Sequence, residues 1–236
     1  MTIGGSHVAG RPAATRAQWS WALYDWANSA FATTVMAGFF PIFFKQYWSY
    51  GVDVNMSTAQ LGFGNSIASL LVALMAPILG AIADKGSVKK KFLIFFAYLG
   101  VLMTAGLFMV HKGQWAMAIF VYVMGVIGFS GANVFYDAIL PAITTEDRID
   151  YVSSLGFSMG YLGGGLLFLI NVLMTLIPQT FGLPDAAAPT RPGFILKEHS
   201  SGGPCIDIGV HILVVGVVMA VVVALAEADD EMQRRR

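Results

Sequence analysis

The chain has 236 residues and no formal net charge, and 56% of its residues are apolar while only 12% are charged. A typical soluble domain has about 25% charged residues, so this composition excludes a soluble globular protein. The zero net charge also provides no general attraction to nucleic acid.

Apolar runs long enough to cross a lipid bilayer follow one another along the chain. A spanning helix needs about 20 apolar residues, because the hydrocarbon layer is about 30 Å thick and a helix rises about 1.5 Å per residue. After a polar tail, 1–18, the runs predict five spans within residues 19–177, at about 19–44, 61–83, 92–110, 115–140 and 152–177. We expect Pro141 to end the fourth of these helices.

The C-terminal part of the chain is predicted to contribute one more helix. A polar segment, 178–207, separates the fifth span from a candidate sixth span, 208–226, which is followed by a charged tail, 227–236. The expected fold class is therefore an all-α integral membrane protein, a bundle of six helices that leaves no room for a soluble catalytic domain. Ten of the fourteen Lys and Arg residues lie on one side, which predicts that both tails are cytoplasmic and that segment 178–207 is not.

A cluster of polar residues interrupts the first apolar run. Asp25, Asn28 and Ser29 are spaced at i, i+3 and i+4, so they share one face of the helix. A carboxylate in the middle of a bilayer costs roughly 2.5–3.5 kcal/mol and is seldom retained there without a role. Asp25 belongs either to a functional polar site or to the inner membrane boundary, near three tryptophans, where it meets headgroups and water. Both interpretations stay open at this point.

The fourth span repeats this pattern near its predicted cytoplasmic end, where Asn133, Tyr136 and Asp137 share one helix face. Because this span runs inward, two helices place an Asn and an Asp at a similar depth. The set predicts a substrate or proton pathway formed by Asp25, Asn28, Asn133, Tyr136 and Asp137. The alternative is a hydrogen-bonded contact between helices that only fixes their packing.

Small residues form a stripe along the fifth span. Gly156, Gly160 and Gly164 recur every four residues, and Gly163 lies beside them. In lipid such a stripe lets another helix backbone approach closely, so we predict a helix-packing surface. A sliding surface used in conformational change is the second interpretation.

The sequence shows no group of residues that is typical of an enzyme. The four histidines are scattered without the spacing of metal ligands, and the glycine-rich fifth span lies within an apolar run rather than after a strand, so it is not a phosphate-binding loop. We therefore predict no enzymatic activity, no metal site and no cofactor.

The loop between the second and third spans, GAIADKGSVKK, resembles the signature that the major facilitator superfamily carries at this place. That signature has a glycine, an aspartate four residues later, and a basic turn that contains glycine. The loop departs from it, because the turn glycine is displaced to Gly86 and Val88 stands where a basic residue is usual. The resemblance implies a cytoplasmic gate loop formed by Gly80, Asp84, Lys85, Gly86, Lys89 and Lys90.

Three further stretches are similar to the vacuole-effluxer-like family of that superfamily, which is linked to autophagic amino-acid export. They are WALYDWANSAF at 21–31, ANVFYDAILP at 132–141 and YVSSLGFSMGYLGGGL at 151–166. The resemblance covers about residues 18–191 and implies the N-terminal half of a twelve-span transporter that works by alternating access. It also implies efflux of a small polar solute, with amino acids as a candidate class. We expect the protein in the plasma (inner) membrane rather than in the vacuole membrane.

The resemblance implies a second six-helix half, which these 236 residues do not contain. Besides membrane lipid and the solute, we therefore expect as partner a second half-transporter chain or a second copy of this one. The alternative is a non-transporting truncated fragment or an assembly partner. Only one of the 30 aromatic residues, Phe194, follows Arg191, and this shift in composition suggests a change of reading frame near that position.

Overall fold

The computed structural model describes residues 13–84, 88–177 and 180. Five long helices account for most of them: α1, Arg16–Trp48; α2, Val54–Ala83; α3, Lys89–Met109; α4, Trp115–Ile143; and α5, Ile149–Leu176. Each helix is long and apolar enough to cross a membrane, and this described part of the chain contains no strand. The predicted all-α membrane fold is therefore confirmed.

Several predicted segments lie outside the described residues. They are the sixth span, 208–226, the tail, 227–236, residues 1–12 of the N-terminal tail, and all of segment 178–207 except Thr180. The change of reading frame suggested near Arg191 also falls there. The bundle that the structure describes is thus one of five helices.

The helices overlap the five predicted spans, but their ends differ from the prediction. α1 runs from Arg16 to Trp48, and α2 begins at Val54 rather than at residue 61. The side chain of Asp53 explains the earlier start of α2, since its Oδ1 accepts hydrogen bonds from the backbone N–H groups of Asn55 at 2.9 Å and Met56 at 3.3 Å. Such a cap satisfies donors that a helix start leaves open.

Pro141 does not end α4, so that prediction was wrong. The helix continues through Pro141 to Ile143. A proline has no backbone N–H group, so the carbonyl of Asp137, four residues earlier, lacks its helical hydrogen-bond donor. Because the helix ends two residues after Pro141, this break is confined to the last turn. The carbonyl oxygen of Ile143 accepts a hydrogen bond from Nε2 of Gln18 at 3.1 Å, which ties the end of α4 to the start of α1.

The winding of α1 changes along its length. Arg16–Ala30 is α-helical, whereas Phe31–Phe39 and Phe44–Trp48 form wider π-helical turns around the short α-helical segment Phe40–Phe43. Turns of this kind are rare and are frequent at functional sites. The change begins directly after Ala30, so the polar cluster of α1 stands on the regular part of the helix.

α4 is the most buried of the described helices. α2 and α3 pack against it, while α5 packs against α1. Aromatic side chains fill the contact between α1 and α4: the rings of Phe40 and Tyr122 stack at 3.9 Å, and those of Phe31 and Phe129 lie 5.3 Å apart. This packing brings the polar faces of α1 and α4 together.

Candidate functional site

Two asparagines connect the polar faces of α1 and α4. Asn28, which is only 9% exposed, donates from Nδ2 to Oδ1 of Asn133 at 2.6 Å. Hydrogen bonds of this kind between membrane helices contribute about 0.6 kcal/mol on average. The bond therefore sets the relative depth of the two helices more than it adds to their stability.

An aromatic stack lies about one helical turn from this amide pair. The rings of Trp21 and Tyr136 are 4.3 Å apart and nearly parallel, and the ring of Tyr24 lies 5.1 Å from that of Tyr136. Nε1 of Trp21 also donates to the backbone carbonyl of Tyr136 at 3.0 Å. All three side chains are buried, so the stack holds this part of α4 firmly against α1.

Two carboxylates flank the stack. Asp25 is half-buried and accepts a hydrogen bond from Oγ of Ser29 at 3.4 Å, whereas Asp137 is exposed on α4. The two carboxylates are close enough to interact electrostatically. The bond from Ser29 is long, so the Asp25 carboxylate keeps most of its capacity to accept hydrogen bonds. The cluster therefore presents negative charge and unused acceptor atoms.

The glycine stripe of α5 lies against the polar face of α1. A methyl group added at Gly160 would lie 2.5 Å from Oδ2 of Asp25 and 2.8 Å from Oγ of Ser29. The other stripe glycines also face α1: Gly156 lies against Trp21, Gly163 against Trp26 and Gly164 against Thr33. Because these positions lack side chains, α5 can cover Asp25 at close range.

The predicted gate loop is described only at its two ends. Lys85 and Gly86 fall outside the described residues. Gly80 is half-buried in the last turn of α2, Asp84 is exposed directly after that helix, and Lys90 is half-buried in the first turn of α3.

One residue of that loop region reaches α4. Nζ of Lys89 donates to the backbone carbonyl of Ala138 at 2.9 Å. Ala138 directly follows Asp137 in the chain, so Lys89 is attached to the turn that carries the exposed carboxylate. The structure thus connects the start of α3 with the polar cluster.

Trp21 and Tyr24 are parts of the site that were not predicted from the sequence. Trp21 precedes Asp25 by four residues, so the helical spacing already placed both on one face. One of the two interpretations left open from the sequence instead placed the tryptophans near Asp25 at the inner membrane boundary. Thr33 was also missed; its Oγ1 donates to the carbonyl of Gly164 at 3.2 Å. The pair Thr33–Thr34 in an apolar run gives no comparable signal.

Comparison with known proteins assigns the family. The sequence model of the family "Vacuole effluxer Atg22 like" matches residues 48–151. A Bacillus subtilis (strain 168) protein, "Uncharacterized MFS-type transporter YxiO", is 43% identical over 184 residues, which are 77% of this chain. The chain belongs to the major facilitator superfamily. The resemblance drawn from its motifs is thereby confirmed, and of the quoted stretches 132–141 lies within the matched range while 21–31 lies before it.

This major facilitator chain spans less than half the length of the curated relatives it matches. The match covers 43% of the Bacillus protein. A second relative, an "Uncharacterized protein" of Aquifex aeolicus (strain VF5), is 29% identical over 156 residues, which are 65% of this chain and 38% of the relative. No solved structure gives a significant match.

Proposed function

We propose that the chain forms one wall of a secondary transporter that moves a small polar solute across a membrane by alternating access. The observation that carries this proposal is the hydrogen bond between Asn28 and Asn133, which joins the polar faces of two helices inside an apolar bundle. An amide pair beside two carboxylates offers a solute both donors and acceptors. The printed name of the Bacillus relative, an MFS-type transporter, supports the same function.

In this proposal the polar cluster lines the path of the solute or of protons. Asp137 is exposed, whereas Asp25 is half-buried beneath α5, so Asp137 is the carboxylate that a solute or proton meets first. Carboxylates within membrane helices nearly always face a bundle interior or a water-filled cavity. We therefore assign the passage to the side of α4 on which Asp137 lies, with Asn28, Asn133 and Tyr136 behind it.

We assign the cytoplasmic gate to the region between α2 and α3. Lys89 is bonded to the carbonyl of Ala138, so a movement of this region displaces the turn of α4 that holds Asp137. Asp84 is exposed at the end of α2, where it is available to a facing half of the transporter.

The glycine contact between α1 and α5 supports a sliding movement during the transport cycle, because it contains few side chains that interlock.

Amino acids are the solute class that we propose, with efflux across the plasma (inner) membrane as the direction. An amino acid carries an ammonium group that a carboxylate can bind and a carboxylate that amide N–H groups can bind. The cluster of Asp25, Asp137 and the two asparagines contains both kinds of partner. The description of the matching family as vacuole effluxers supports efflux.

The proposal is tested by flux through proteoliposomes that contain the purified chain, with a panel of labelled amino acids and other small polar solutes. Asn133→Ala removes the amide that binds Asn28 and is expected to lower the initial rate about tenfold or more. Asn65→Ala is the matched control, since Asn65 accepts a hydrogen bond from Tyr122 at 3.0 Å between α2 and α4, away from the cluster. Equal losses in the two variants would assign Asn133 to packing alone.

A second candidate function is that of a non-transporting membrane fragment or assembly partner. Its support is the length of the match, which covers less than half of either relative, together with exposed apolar residues along α2, among them Leu70, Leu74 and Ile78.

Measuring the oligomeric state together with the flux separates the two functions. Flux from a homodimer means that two copies supply both walls, and flux only after addition of a second half-transporter chain identifies that chain as the partner. A folded protein without flux in either form is an assembly partner or a fragment.

A further inference from the structure

The wide turns of α1 use a different pattern of backbone hydrogen bonds from that of an α-helix. The N–H group of Phe40 donates to the carbonyl of Val35. The N–H group of Ser49 donates to the carbonyl of Phe44 at 2.8 Å. Each of these bonds reaches back five residues instead of four, so a wide turn holds about one residue more than an α-helical turn. The segment Phe31–Phe39 therefore contains a residue in excess of the α-helical count.

Each wide segment is accompanied by a buried hydroxyl group without a hydrogen-bond partner within residues 13–84 and 88–177. Thr34 lies inside the first segment and Ser49 directly follows the second, and each is only 1% exposed. On the regular helices, by contrast, hydroxyl groups donate to the carbonyl four residues earlier, at 2.7–2.9 Å. These residues are Thr58, Ser66, Thr104, Ser154 and Ser158. A buried hydroxyl group without a partner is unfavourable and calls for an explanation.

The change in side-chain bonding falls between two neighbouring threonines. Oγ1 of Thr33 still donates to the carbonyl of Ser29, four residues earlier, at 3.0 Å. Oγ1 of Thr34, the next residue, reaches no acceptor in the part of the chain that the structure describes. In an α-helical winding the carbonyl of Ala30 would stand four residues before Thr34, in the position that hydroxyl groups on the other helices use. The α-helical winding therefore offers Thr34 a partner that the wide winding does not provide.

Contacts at both ends of α1 hold the wide winding between them. At the C-terminal end, Nε1 of Trp48 donates to the carbonyl of Val110 at 3.1 Å. The N–H group of Gly113 donates to the carbonyl of Tyr47, also at 3.1 Å. At the N-terminal end, Trp21 is bound to α4 through its ring and its Nε1. The excess residue thus lies between two fixed points, and a change of winding displaces the part of α1 between them.

We propose that the segment Phe31–Phe39 alternates between the wide winding and an α-helical winding, in which Thr34 donates to the carbonyl of Ala30. Release of the excess residue turns the residues that follow by about 100° and moves them by about 1.5 Å along the helix axis. Phe40, whose ring stacks on that of Tyr122 at 3.9 Å, then leaves this position. The use of this change during transport rests on the proposed function, whereas the existence of two windings does not.

The state of the Thr34 hydroxyl is measured by thermal unfolding of the full chain in nanodiscs. Thr34→Val keeps the shape of the side chain and removes the hydroxyl. Thr104→Val is the matched control, since Thr104 is 2% exposed and donates to the carbonyl of Gly100 at 2.7 Å. We expect an unchanged or higher midpoint in Thr34→Val, because no bond is lost, and a midpoint about 2–4 °C lower in Thr104→Val. Equal losses in the two variants overturn the proposal.

Hydrogen–deuterium exchange measures the alternation itself. The amide hydrogen bonds of residues 35–43 break and form again during each change of winding, so their exchange reports how often the α-helical form is reached. Thr34→Val removes the bond that stabilises this form and is expected to slow the exchange about fivefold or more. Thr104→Val is expected to leave it unchanged. Exchange at the parent rate in Thr34→Val overturns the proposal.

Deletion of Ala37, an exposed residue of the wide segment, fixes the α-helical winding. It removes the excess residue and keeps the residues beyond it in place. Deletion of Ala73, which is exposed in the middle of the α-helical α2, is the matched control, because it turns every later residue of that helix by about 100°. We expect a midpoint at or above that of the parent after deletion of Ala37 and a large loss after deletion of Ala73. Comparable losses contradict the excess residue and overturn the proposal.

Flux through proteoliposomes connects the two windings with transport. Thr34→Val favours the wide form and deletion of Ala37 fixes the α-helical form, so each is expected to lower the initial rate about fivefold or more, while Thr104→Val retains it. Full flux in both biased variants overturns the use of the winding change in transport. A parent protein without flux contradicts the proposed function instead, and the two windings are then confirmed or overturned by the unfolding and exchange measurements alone.

Discussion

Trp21 and Tyr136 are joined twice: their rings lie 4.3 Å apart with 6° between the planes, and Nε1 of Trp21 donates to the backbone carbonyl of Tyr136 at 3.0 Å. A ring contact alone would allow α1 to slide along α4, and a single hydrogen bond would allow it to rotate. The two together fix both the height and the rotation of the helices at the depth of Asp25 and Asp137. The geometry of the polar cluster therefore depends on this pair.

Replacing Trp21 with alanine is expected to destabilise the protein by about 3–5 kcal/mol, because it removes a large buried side chain and a hydrogen bond. Unfolding in detergent, followed by circular dichroism, measures the loss. Trp19→Ala is the control on the same helix, since Trp19 is 43% exposed and its replacement is expected to change the stability by less than about 0.5 kcal/mol. Comparable losses in the two variants would show that the stack does not hold α1 against α4.

Gly160→Ala is expected to impair transport more than stability. The added methyl group lies 2.5 Å from Oδ2 of Asp25, so either that carboxylate changes its rotamer or α5 moves outward. Gly165→Ala is the matched control five residues along, where an added methyl group meets nothing within 4 Å. Initial rates of flux and the unfolding midpoint are measured for both. Full flux in Gly160→Ala would show that the contact between α5 and Asp25 is not used during transport.

The fold could be predicted from the sequence because the membrane imposes it. A bilayer requires about 20 apolar residues for each span, and five such runs correspond to α1–α5. The helix ends were less predictable, because they depend on local contacts: the cap that Asp53 provides extends α2 towards its N-terminus. Pro141 was misjudged because a proline is a strong break in mid-helix and a weak one two residues from a helix end.

The polar residues of the candidate site could be predicted, but their partners could not. Spacing placed Asp25 and Asn28 on one face of α1, and Asn133 and Asp137 on one face of α4, from helix geometry alone. Spacing says nothing about how two helices rotate against each other, so the bond between Asn28 and Asn133 needed the structure. The same holds for the glycine stripe, whose sequence indicates close packing without showing that Asp25 is what it covers.

The coupling between Asn28 and Asn133 can be measured with a double-mutant cycle. Asn28→Ala and Asn133→Ala each leave one amide without its partner, and the double variant removes both. We expect a coupling energy of about 0.6–1.7 kcal/mol from unfolding in detergent, the range found for hydrogen bonds between membrane helices. A coupling of zero would mean that the two amides do not interact in the membrane, and the observation that carries the proposed function would be lost.

Lys89→Ala is expected to loosen the last turns of α4, because it removes the ammonium group that donates to the carbonyl of Ala138. Hydrogen–deuterium exchange followed by mass spectrometry measures this as faster exchange in peptides that cover residues 137–143. Lys89→Gln keeps a donor at similar reach and is expected to restore part of the protection.

Lys91→Ala changes the charge of the same region at an exposed position and is expected to leave the exchange of α4 unchanged. If Lys91→Ala accelerated the exchange as much, the effect would come from the positive charge of the region, and the link from the gate to Asp137 would have to run through another residue.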